Sequence, residues 1–171
     1  MLLTFLVHES EWHDRYGVKI DEILEVQLVA KPLFPLGRCL YSRKSEIQRL
    51  LEGTNFYYLI GRVLETNMWR GEEEILVECN KIPIRIERCP HAKREVVKAN
   101  DIIFGSVHLI GAISYDTACI HRTIYGKVLE IKKAICPPIS SEKSAEESEE
   151  FFLLTIDTTK KKPKKRLSLL A

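Results

Sequence analysis

Two short segments, Cys89-Pro90-His91 and Cys119-Ile120-His121, repeat a Cys-x-His spacing. In extended backbone that spacing sets both side chains on one face, so each pair could offer a thiolate and an imidazole to a tetrahedral zinc ion. The spacing lacks the usual Cys-x2-4-Cys knuckle, and reduced cysteines also pack as small apolar side chains, so no metal or other cofactor is assigned. A different chemistry sits at Trp69-Arg70, where a flat ring that can stack on a base adjoins a cation that can track phosphate. Its structural alternative is a Trp folded over the end of a barrel. A third sits near the end of the chain, where Lys160, Lys161, Lys162, Lys164, Lys165 and Arg166 form the run KKKPKKR without one acid. Its proline interrupts any helix and leaves the cations on a flexible chain able to neutralise phosphates or simply to aid solubility. In a nucleated cell the same string would look like a nuclear-localisation signal.

Catalysis has no comparable constellation. There is no Gly-rich phosphate loop, no His-Glu-x-x-His and no Gly-x-Ser-x-Gly elbow. His8, His13 and Asp14 lie close in sequence and read as surface polar residues, so no enzyme is expected.

The elements that must position these groups are strands. Phe56 to Thr66, Glu74 to Cys79, Ile82 to Arg88, Ile102 to Ser114 and Arg122 to Ala134 read as five consecutive ones. In the third, Ile82, Ile84 and Ile86 alternate with Pro83, Arg85 and Glu87, the period-2 signature of a half-buried strand. Asn80-Lys81 is a two-residue hairpin connection, and Asn tolerates the positive φ that such turns need. Asn67 to Glu72 reads as a longer polar loop. Asn100-Asp101 opens the fourth strand, with Gly105 and Gly111 inside it where a bulge or corner could form. Tyr57, Tyr58 and Tyr125 are expected to pack with their hydroxyls at the rim.

A chain of 171 residues can bury one proper core with an annex. Hydrophobic content of 45% and charged content of 29% exclude disorder for most of it. The net charge of +2 hides an acidic, Ser-rich block at Glu142 to Glu150 opposed to the basic tail. No apolar run approaches the ~20 residues of a membrane helix, and Met1 to Val7 lacks the build of a secretory leader. Five cysteines at irregular spacing then suggest reduced thiols. A cytoplasmic protein is expected, or a nuclear one in a nucleated cell.

Residues 1–53 read as an N-terminal annex, 54–138 as a barrel, and 139–171 as an acidic linker, a strand-like segment and the basic tail. In the annex, Thr4 to His8 is one strand candidate. Leu24, Val26, Leu28 and Ala30 alternate with more polar neighbours to make a better one, ended by Pro32. Ser45 stands three residues before Gln48 at capping-box spacing, with Ile47, Leu50 and Leu51 along one face and Gly53 as a stop, which predicts a short helix. Ala92 to Lys98 could form another. Phe151 to Asp157 (FFLLTID) would be an aggregation hazard if exposed, so it should pair back onto the sheet or dock on a protein partner.

Five strands with a crossover between the third and fourth, the Gly61-Arg62-Val63 step, the Asn80-Lys81 hairpin and the Asn100-Asp101 opening together resemble the OB-fold over Phe56 to Ile135. The resemblance implies a mainly β, five-stranded Greek-key barrel with an N-terminal strand and short-helix annex and a C-terminal extra strand. It implies a binding face on the second and third strands, including Glu78, Arg85 and Glu87, flanked by loops carrying Trp69, Arg70, Tyr115, His121 and Arg122. Trp69, Arg70, Arg85, Arg88 and Arg122 would then contact single-stranded DNA or RNA, and Lys160 to Arg166 would add affinity without sequence preference. Glu72, Glu73 and Glu74 beside that face oppose a polyanion. An adaptor or scaffold subunit, using the barrel and Phe151 to Asp157 for protein contact, is the other expectation.

Overall fold

Period-2 patterning dominates the chain, and strands are what it builds. The computed structural model describes residues 1–8, 18–39, 42, 44–69, 72–87, 96–112, 122–136 and 149–159. Among them are ten strands and no helix: β1 (Leu2–His8), β2 (Ile23–Pro32), β3 (Gly37–Cys39), β4 (Glu46–Arg49), β5 (Phe56–Trp69), β6 (Glu72–Cys79), β7 (Ile82–Glu87), β8 (Ile102–Ala112), β9 (Thr123–Cys136) and β10 (Glu149–Asp157). No helix among them could cross a membrane. The segment 140–148, residues 92–95 of the helix candidate Ala92 to Lys98 and the residues His13, Asp14 and Tyr115 lie outside the described residues, and the candidate's remaining residues, 96–98, are not helical.

The five middle strands form nearly where the alternation places them. Asn80 and Lys81 take φ of 50° and 65°, the double positive φ of a tight hairpin turn, and join β6 to β7 in register. The expected five-stranded barrel of consecutive strands does not form. Instead β5 lies between β6 and β8, giving the spatial order β8-β5-β6-β7, and the strand beside both β7 and β8 is β2. It runs parallel to β7 at Val29 and Ala30 and antiparallel to β8 from Gln27 to Pro32. β9, the expected fifth strand, pairs with the first half of β2 and with β10.

The reason lies in side-chain character. β2 buries Leu24, Val26, Leu28 and Ala30 on one face and Gln27 and Val29 on the other, so it suits a position covered on both sides. β9 carries exposed Leu129, Glu130, Lys132 and Lys133 in its second half and suits the periphery. A second closure follows, in which β2, β9, β10, β1 and β8 return on themselves through a parallel contact of Leu6 with Ile110. Both closures share the β2–β8 ladder and one hydrophobic cluster, which joins Leu3, Phe5 and Leu154 to Leu59, Val77 and Ile84. Strands from 1–53, 54–138 and 139–171 thus belong to one sheet.

Two polar side chains buried in the core, Tyr57 and Asn55, are hydrogen-bonded. The Tyr57 side chain is buried, contrary to the expected rim position, and its hydroxyl accepts the Thr4 N–H at 2.8 Å. Asn55 exchanges two hydrogen bonds with Leu109, at 3.0 and 2.9 Å. Unpaired, these groups would each cost about 1–3 kcal/mol.

The predicted helix at Ser45 to Gly53 is instead strand β4 followed by a turn. Two turns of helix are stable only when packed, and the apolar residues do not share a covered face: Ile47 is buried, whereas Leu50 and Leu51 are 52% and 61% exposed. Ser45 caps no helix. Its hydroxyl donates to the Glu78 carbonyl and accepts the Asn80 N–H at 2.7 Å, tying β4 to the β6–β7 turn.

Asp101 secures the approach to β8. Its carboxylate accepts the Lys98 N–H at 2.8 Å and the Arg38 Nε at 3.0 Å. The Lys98 hydrogen bond first, then Arg38, hold the carboxyl below its ordinary range against the opposing effect of burial. A lowered folded-state value favours the fold above the unfolded carboxylate value of ~3.9, and the benefit disappears as pH falls through the folded one. Asp101→Asn is therefore expected to melt lower than wild type at pH 7, with the two curves converging between pH 5 and 2. A gap that stays constant over that range would mean that the carboxylate charge contributes nothing.

Candidate functional site

The β5–β6 ladder continues to the pair Trp69↔Glu72, so the expected Asn67 to Glu72 loop is the end of a hairpin arm. Glu65, Thr66, Asn67 and Met68 are all exposed along it. Arg70 and Arg88 lie outside the described residues, as do Lys160, Lys161, Lys162, Lys164, Lys165 and Arg166. So do Cys89, His91, Cys119 and His121, and among the described residues no cluster could hold a metal ion. Arg122 is exposed just before β9.

Arg85 points outward from β7 and is held by acids. Its Nη1 lies 2.7 Å from Glu74 and its Nη2 3.8 Å from Glu87, which also meets Lys31 at 3.6 Å. Glu74 is itself buried, and a pair with both members largely out of water is costly to break. The β6–β7 face therefore carries Glu74, Glu78 and Glu87 around a neutralised Arg85.

The neighbouring outer face, on β5 and β8, is different. Phe56↔His108, Tyr58↔Ser106 and Ile60↔Phe104 are directly opposite pairs, so all six side chains share one side of the ladder. Tyr57, Leu59, Ile103 and Val107 take the other side and enter the core. The six are half-buried, and the Phe56 and His108 rings approach to 4.0 Å between centroids, tilted by 48°. Burial pushes the His108 imidazole below its usual value, so the ring is neutral at pH 7. Phe104 lies over Gly37 of β3, where any Cβ would overlap its ring. Arg62 continues the row beyond Ile60, exposed and without an ion pair among the described residues. At the other side Leu33 donates its N–H to Ser106 O, next to Phe34, which is 72% exposed.

Chemically this is a strip of flat, uncharged rings with a guanidinium at one end. Residue patterning alone misses the strip because β5 is apolar on both faces from Phe56 to Ile60, so no polar contrast marks the outer one. The available signal was the i, i+2 recurrence of Phe56 and Tyr58, matched by His108 and Phe104 on β8. Comparison with protein-family models, with curated proteins and with solved structures gave no match.

Proposed function

We propose that this protein binds single-stranded DNA or RNA without catalysing a reaction, as a subunit of a nucleic-acid-processing complex inside the cell. The observation that carries the reading is the ring strip Phe56, Tyr58, Phe104 and His108, which offers stacking surfaces to successive bases while Arg62 takes a phosphate. The strand order supports it. β8-β5-β6-β7 is the 4-1-2-3 order of a Greek key, and β2 closes it into a five-stranded ring of the kind OB barrels use. The ligand then lies on β5 and β8, with Trp69, Arg70, Arg88 and Arg122 as outlying contacts and the Lys160 to Arg166 tail adding phosphate affinity. Arg85 contributes only if it leaves Glu74.

Fluorescence titration with labelled single-stranded oligonucleotides at two salt concentrations tests this. Tight binding that weakens with salt is expected. Tyr58→Ala should weaken it by about fivefold to 150-fold, the equivalent of one stacked base at ~1–3 kcal/mol. No binding at low salt, or a Tyr58→Ala protein that binds as wild type does, rejects the proposal.

One observation favours an adaptor instead. Among the described residues β4 pairs only with β5, leaving Glu46–Arg49 an open edge to which a partner's strand could add. β10 is paired on both edges, by β1 and β9, so Phe151 to Asp157 would meet a partner through side chains.

A further inference from the structure

Arg49, at the end of β4, is a half-buried cation without a carboxylate among the described residues. Its Nη1 donates to Thr4 Oγ1 at 3.1 Å, and that oxygen also meets Thr155 Oγ1 at 2.9 Å across the β1–β10 ladder. Guanidinium and Thr155 hydroxyl thus converge on one atom and lie within about 6 Å of each other. If Thr4 gives its proton to Thr155, the Thr155 hydroxyl can donate onward. Arg49 has five N–H donors, of which one is used among the described residues.

At the other end of β4 Ser45 holds the Asn80-Lys81 turn, and Asn80 reaches Met1 Sδ at 3.9 Å. Thr158 clasps the Met1 carbonyl with its N–H at 2.9 Å and its hydroxyl at 3.0 Å. Asp157, two residues beyond Thr155, is engaged by the Met1 amine at 3.8 Å and by Thr159.

We infer that Arg49, with the Thr155 hydroxyl and Thr4 as its positioning group, forms an oxyanion site for a phosphate group. A planar fork with several free donors beside a hydroxyl matches the tetrahedral oxygens of phosphate. Two sources share that chemistry: a free phosphate or phosphomonoester, and the backbone of a nucleic acid.

Titration of the full chain with inorganic phosphate, followed by amide chemical shifts at constant ionic strength in chloride, tests the site. Saturable shifts at Thr4, Arg49 and Thr155 are expected. Arg49→Gln should weaken them at least about tenfold, with Arg49→Lys between, in proteins whose melting curves confirm the fold. No saturable shift, or an undiminished one in Arg49→Gln, overturns the site. A short oligothymidylate lacking terminal phosphate separates the sources: shifts at the same amides, lost in Arg49→Gln, assign the site to backbone phosphate. Shifts with inorganic phosphate alone assign it to free phosphate or a monoester. Phosphate binding without any oligonucleotide binding keeps the site and removes the nucleic-acid reading.

Discussion

A chain ended after Ser148 should show no cooperative thermal transition. The cut removes β10, which lies between β1 and β9 and buries Leu154 and Ile156 completely. Truncating one such side chain to alanine typically costs about 2–5 kcal/mol, and a whole domain is stable by only about 5–15 kcal/mol. Losing both, together with two backbone ladders, exceeds what the fold can absorb. The cut also leaves β1 and β9 with open edges that invite aggregation. Ending the chain after Thr159 is the control. It removes the basic run and the five residues that follow it, and its melting temperature should match wild type. A chain lacking 149–171 that still melts sharply near the wild-type temperature would show that the second closure is dispensable.

Gly111→Ala should produce the next largest loss. Gly111 sits in β8 opposite Leu28, and a Cβ there would overlap the ring of Phe5 and come within 3.0 Å of Val26 Cγ2. Both neighbours are fully buried, so neither can swing into solvent. Overpacking of this kind costs about 1–3 kcal/mol, equivalent to a melting temperature lower by about 2–12 °C in a chain of this size. Phe5→Leu is destabilising alone but relieves the overlap, so in a double-mutant cycle the pair should be less harmful than the sum. Strict additivity would mean that the ring is not what excludes a side chain at 111.

Local pattern carries far in this chain, then stops at a definable point. Ile82, Ile84 and Ile86 mark β7, Leu24 to Ala30 mark β2, and FFLLTID marks β10, because a half-buried or buried strand needs those residues whatever its neighbours are. Asn80-Lys81 marks its turn because few residues accept two positive φ values in succession. Strand partners are another matter. Nothing local in Arg85 and Ile86 says that they will pair with Val29 and Ala30, 56 residues back in the chain, while Arg122 to Ala134, the expected fifth strand, pairs with β2 and β10 instead. Ile47, Leu50 and Leu51 have helical spacing, but tertiary pairing with Tyr57 to Ile60 overrides it. The candidate site divides in the same way. Trp69-Arg70 is visible as chemistry, whereas the commitment of Arg85 to Glu74 and the gathering of Phe56, Tyr58, Phe104 and His108 exist only once β5, β7 and β8 are in register.

The pairing of β1 with β10 has a consequence for how the protein is made. Residues 2–8 leave the ribosome more than 140 residues before their full-length partner, the last strand described, from Glu149 to Asp157. Until that strand emerges, the nascent chain holds β1 without its longest ladder and β9 without its outer one, the kind of unfinished sheet that chaperones attend.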